Sequence, residues 1–78
     1  MGDGTLGETL LTLRRRRRMN QHELAEALGV SIRTVARYET GLVWFMSLGT
    51  FIRVIDVLCE TDDERGALGA TVRRGPRS

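Results

Sequence analysis

The stretch QHELAEALGVSIRTVARYETG, from Gln21 to Gly41, decides how this chain folds. Leu24, Ala25 and Leu28 recur at the spacing that puts side chains on one face of a helix. Gly29 then breaks the pattern, with Val30 as a small apolar plug beside it. Ser31 stands where a hydroxyl caps the next helix, on which Val35 and Tyr38 continue a buried stripe. Two short helices around one tight turn make a helix-turn-helix, in which the second helix is held out as a probe. Arg33 and Arg37 lie four apart and project from the same side of that probe. Such a face suits DNA.

Outward from this stretch, capping signals divide the rest of the chain into further helices. Thr5 with Glu8 forms a capping box that opens a first helix through about Arg18, with Leu6, Leu10 and Leu13 turned inward. Asn20 with Glu23 opens the second helix, which Gly29 ends. The third starts after Ser31 and stops near Thr40 and Gly41, where glycine adopts the left-handed terminating conformation. Ser47, with Thr50 close by, marks a fourth helix striped by Phe51, Val54, Ile55 and Leu58. Thr61 with Glu64 starts a short fifth, expected to fade by Gly69. The expectation is an all-α domain of five helices over residues 5–69. Residues 1–4 are expected to be a flexible N-terminus, and residues 70–78 a flexible basic tail.

A chain of 78 residues has room for one small domain, and 41% hydrophobic residues is ordinary for a globule. Cys59 is the single cysteine, which excludes an internal disulfide and any cysteine-rich zinc site. That fits a reducing cytoplasm. No apolar run approaches the roughly 20 residues that span a bilayer. The leading MGDGTLGE carries acid where a secretion signal is basic.

Net charge is +2, but its distribution is uneven. Between Arg14 and Arg37 stand seven arginines against two acids, Glu23 and Glu26, whereas Asp56, Glu60, Asp62, Asp63 and Glu64 gather later. One side is therefore electropositive, as a phosphate-facing surface is. The run Arg14–Arg18 cannot face one way on a helix that turns by about 100° per residue. Arg14 and Arg18 would share a face and reach DNA phosphates, adding sequence-independent affinity. Arg17 would lie over the core by its aliphatic stem. The plainer alternative is a solvated helix end favoured by the helix dipole.

The remaining candidate residues each carry two readings. Gln21, at the first position of the second helix, is either a phosphate contact supported by free N–H groups or a simple exposed polar residue. Arg33 is the leading base reader, because a guanidinium donates two parallel bonds to guanine. Ile32 either meets a thymine methyl group or packs on a neighbour. Arg37 reaches a base or a phosphate; Ser31 and Thr34 are assigned to phosphates. Glu39 is read as an ion-pair partner for an arginine of the first helix. His22 has no companion ligand or nucleophile at a useful spacing, and no glycine-rich phosphate loop is present. No enzyme, metal or cofactor is expected.

After Gly41 the sequence LVWFM places five apolar residues, Leu42, Val43, Trp44, Phe45 and Met46, where a polar loop is usual. Either they roof the core, or the excess forms an exposed patch that mediates protein contact. The leading expectation is homodimerisation through this segment and the outer edge of the fourth helix.

The strings LRRRRRMNQHELAEALGVSIRTVARYETG and SLGTFIRVIDVL resemble the phage-repressor and Cro type of helix-turn-helix domain, the XRE family. The carriers are a glutamine opening helix two, the LAEALGVS turn and the E-x-G close of helix three. The resemblance implies a five-helix domain that binds palindromic operator DNA as a dimer. It implies that Gln21 contacts a phosphate, that Ile32, Arg33 and Arg37 face the major groove, and that Thr34 and Thr40 lie near phosphates. The segment LVWFM departs from the family's polar, proline-containing loop. Three functions compete: a cytoplasmic, operator-specific regulator of double-stranded DNA; a protein-interaction module such as an antitoxin with a toxin partner; and a non-specific nucleic-acid binder. None requires a membrane or a small-molecule substrate.

Overall fold

The structure, a computed structural model, describes residues 5–42 and 46–74. Five helices follow one another: α1 (Leu6–Arg16), α2 (Gln21–Leu28), α3 (Ile32–Thr40), α4 (Leu48–Leu58) and α5 (Asp62–Arg74). The fold is all-α, of the phage-repressor-like helix-turn-helix kind.

Each early boundary has a local chemical cause. Thr5 and Glu8 form a reciprocal capping box at α1, and Asn20 and Glu23 form another at α2. Ser31 and Ser47 accept the backbone N–H of Thr34 and Thr50, each at 3.1 Å, and so cap α3 and α4. Gly29 and Gly41 close α2 and α3 at φ 75° and 85°, a left-handed conformation glycine adopts without steric cost. These stops leave the short turn that swings α3 across α2.

The core is built from the apolar stripes of all five helices. Leu6, Leu10, Leu13, Leu24, Ala25, Leu28, Val35, Tyr38, Val54, Leu58, Cys59 and Leu68 are buried. Met19, Val30, Met46, Phe51, Ile55 and Val57 pack around them, partly covered. Burial pushes the Tyr38 phenol and the Cys59 thiol above their ordinary pKa values, so both stay neutral.

Two boundaries differ from those expected. The first helix stops at Arg16; Arg17 is its cap and Arg18 turns to φ 60°. Arg14 and Arg18 therefore do not share a helical face. The last helix does not fade at Gly69 but runs to Arg74, because Leu68 and Thr71 are both buried and packing outweighs the helix-weakening glycines. Residues 70–74, expected in the flexible tail, are thus helical; residues 1–4 and 75–78 lie outside the described residues.

One close approach fixes α1 against α3. A methyl group added at Gly7 would lie 2.3 Å from the carbonyl oxygen of Tyr38 and 2.9 Å from that of Glu39. Glycine lets the two backbones touch there. The last turn of α3, which carries Glu39, is held in place as a result.

Candidate nucleic-acid interface

The amphipathic pattern of α3 buries Val35 and Tyr38 and leaves the opposite stripe to solvent. Ile32 is 48% exposed, and Arg33, Arg37 and Thr40 are exposed beside it. Neither Arg33 nor Arg37 makes an ion pair with any described residue, and each guanidinium group offers five N–H donors. Ser31 and Thr34 join their hydroxyls at 3.0 Å at the head of the same helix. The Thr40 hydroxyl donates to the Ala36 carbonyl at 2.9 Å.

Behind this face a polar clamp ties three helices together. Arg14 donates from Nε to Oε2 of Glu39 at 2.7 Å and from Nη2 to Oε1 at 3.1 Å. Its remaining Nη1 donates to the Met19 carbonyl at 2.9 Å. Gln21 donates from Nε2 to the same Glu39 Oε1 at 2.9 Å. The side chains of Arg14 and Glu39 are only 12% and 4% exposed. A desolvated pair of this kind costs much of its Coulombic gain, but its bidentate geometry fixes orientation. The ion pair expected of Glu39 is therefore made, and Arg14 makes it. The second amide hydrogen of Gln21, at the N-terminus of α2, bonds no described residue.

The arginine run is divided by its surroundings. Arg16 donates to Oε2 of Glu64 at 2.7 Å, and Arg17 donates to the same oxygen at 2.5 Å. Arg17 also pairs with Glu60. Oε1 of Glu64 accepts the backbone N–H of Glu60 at 2.8 Å and of Thr61 at 3.3 Å. The Glu60 backbone bond and the Arg16 guanidinium, helped by the charge of Arg17, hold the Glu64 carboxyl at a pKa of about 2 despite its burial. Arg15 and Arg18 are exposed and pair with no described acid. The stem of Arg17 does lie against the molecule, its side chain 15% exposed.

The apolar segment is only partly described. Leu42 is 76% exposed, whereas Met46 is half-buried against the core. Val43, Trp44 and Phe45, expected at a dimer contact, lie outside the described residues. Leu48 and Ile52 were not singled out from the sequence, yet they stand 73% and 50% exposed on α4. Their spacing of four, just outside the Phe51, Val54 and Leu58 stripe, was the available signal.

His22 faces Glu26 at 3.3 Å on the surface of α2. No group of three or more His, Cys, Asp or Glu residues able to hold a metal ion occurs among the described residues. No described helix is long and apolar enough to cross a membrane.

Comparison with known proteins gives one family. No curated protein and no solved structure matches the chain. The sequence model of the helix-turn-helix domain matches residues 5–68, from the first capping threonine to the buried leucine of α5. That span takes in the turn at Gly29, the exposed face of α3 and the clamp behind it, and by it the chain belongs to the helix-turn-helix domain family.

Proposed function

We propose that this protein is a cytoplasmic, sequence-specific transcriptional regulator of the phage-repressor type. Two copies bind palindromic operator DNA, each with α3 in the major groove. The observation that carries this reading is the outer face of α3, where Ile32 stands beside two exposed guanidinium groups, Arg33 and Arg37, that pair with no described acid. Arg33 reads guanine through two parallel hydrogen bonds, Ile32 covers a thymine methyl group, and Arg37 reaches a base or the adjacent phosphate. Gln21, Arg18, Ser31, Thr34 and Thr40 line the phosphates on either side. Arg14 belongs to this set only at one remove, since three of its five N–H donors are engaged by Glu39 and Met19 and its side chain is only 12% exposed.

The dimer contact is assigned to the segment Leu42–Met46 together with Leu48 and Ile52. Half-sites then lie about one helical turn, roughly 34 Å, apart. Selection from random duplex pools, followed by binding of the selected site and a scrambled one, tests the reading. An enriched palindrome whose preference at one base pair is relaxed by Arg33→Ala is the expected result. Equal affinity for selected and scrambled DNA at physiological salt would refute it.

A second reading, an antitoxin-like module that captures another protein, draws on the exposure of Leu42, Leu48 and Ile52. Solution mass decides between the two. A dimer that Leu48→Glu dissociates favours the regulator; a monomer at high concentration favours capture of a different chain.

A further inference from the structure

Five consecutive arginines ought to make this domain a strong, indiscriminate polyanion binder. The structure distributes them otherwise. Arg14 is turned inward to Glu39, and Arg16 and Arg17 are turned to the start of α5. There Glu60 and Glu64 present carboxylate oxygens to guanidinium groups much as phosphates would. Glu64 is nine-tenths buried and receives both arginines on one oxygen, while its other oxygen caps α5. The pairing is nevertheless incomplete, because Nε of Arg17 is buried without a hydrogen-bond partner. Arg16 is still 54% exposed and Glu60 69% exposed, so solvent and other anions reach this cluster.

We propose that Glu60 and Glu64 are specificity-determining residues that touch no DNA: they occupy Arg16 and Arg17 and so suppress sequence-independent binding. The inference rests on the DNA-binding reading above. Phosphate contacts raise affinity for every sequence alike, whereas base contacts on α3 raise it for one. Removing two arginines from the phosphate-binding pool widens the ratio between operator and random DNA. The same linkage runs in reverse. A polyanion that captures Arg16 and Arg17 takes away the ion pairs with which α5 docks on α1.

The test compares two doubly neutralised variants of the full chain. Glu60→Gln/Glu64→Gln removes the acids that face the run, and the amide oxygen that replaces the Glu64 carboxylate can still cap α5. Asp62→Asn/Asp63→Asn changes net charge equally on the same turn, at exposed side chains that hold no arginine of the run. The probes are a random-sequence duplex of about 20 base pairs and heparin, titrated over a range of salt. For the first variant the log–log salt slope on the duplex should steepen by about 0.9 to 1.8, one or two added phosphate contacts, and heparin affinity should rise. The second variant should leave the slope unchanged, and adding Arg16→Ala/Arg17→Ala to the first should cancel its gain.

Equal shifts in the two variants would mean that only net charge matters and would overturn the proposal, as would no shift in either. If circular dichroism shows the first variant unfolded, Glu60→Gln alone carries the comparison against Asp63→Asn. The expected gain is then smaller, confined to Arg17, and its absence overturns the proposal. Failure of the DNA-binding reading looks different: no variant binds duplex, while heparin still separates the Glu from the Asp variants.

Discussion

The guanidinium of Arg14 grips the carboxylate of Glu39 through two hydrogen bonds, 2.7 and 3.1 Å long, across 25 residues of chain. The pair sits between α1 and the last turn of α3, and Gln21 leans on the same carboxylate. An arginine from the most basic stretch of the sequence is thus spent on orienting the helices. Arg14→Met would strand a buried carboxylate and should destabilise the domain by about 3–5 kcal/mol, measured by urea denaturation. Arg14→Lys keeps the charge but replaces a planar fork with a point donor. It should weaken binding to all DNA sequences without changing the salt slope. A slope shallower by about 0.9 in Arg14→Gln, which removes the charge, would instead mean that Arg14 neutralises a phosphate directly.

Gly7 supports the other end of that arrangement. Gly7→Ala puts a methyl group 2.3 Å from a backbone oxygen that cannot swing aside as a side chain could. Helix α1 must tilt or slide, at a cost of about 1–3 kcal/mol, although alanine favours helix and would stabilise an exposed position. Thermal unfolding checks the sign. A melting temperature equal to or above that of the wild type would show that the two helices do not meet at this point.

The helix-turn-helix was legible in the sequence because its punctuation is local. Asn20 with Glu23, Gly29, Ser31 and Gly41 each act within a few residues, and each does so in the structure. The partition of the arginine run was not legible, because its partners are remote. Arg17 and Glu64 are 47 residues apart, and no periodicity links them. The end of α1 was missed for a related reason: arginine is a good helix former, so nothing in the run announces a stop. The free face of α3 was readable as an amphipathic stripe. That Gln21 is tied to Glu39 depends on how α2 crosses α3, which only packing decides.

The Glu64 carboxyl gives the domain a defined acid response. Its folded pKa of about 2 lies below the ordinary value of 4.5, so its stabilising contribution is complete above pH 4.5. That contribution is lost as pH falls from there through about 2, when the carboxylate is protonated and releases Arg16 and Arg17. Glu64→Gln removes the titration. The stability difference between wild type and Glu64→Gln, measured by urea denaturation, should be largest above pH 4.5 and should shrink as pH falls toward 2. A difference independent of pH over that interval would mean that the carboxylate is not held by charge.

Arg18 occupies a position that the fold would rather give to glycine. At φ 60° it is the one non-glycine residue in the left-handed region among the described residues, where a side chain's Cβ crowds the backbone at about 1–2 kcal/mol. Its side chain is exposed, pairs with no described acid, and stands just ahead of the α2 N-terminus. Strain of this kind persists where the side chain serves something other than stability. Arg18→Gly should therefore raise stability by about 1 kcal/mol, after allowance for glycine's greater unfolded-state freedom. If Arg18 meets a phosphate, the same variant should bind both operator and random duplex more weakly, with a salt slope shallower by about 0.9. A variant that is more stable yet binds DNA with an unchanged slope would remove Arg18 from the phosphate contacts. One that is less stable would show that the turn between α1 and α2 depends on the arginine side chain itself.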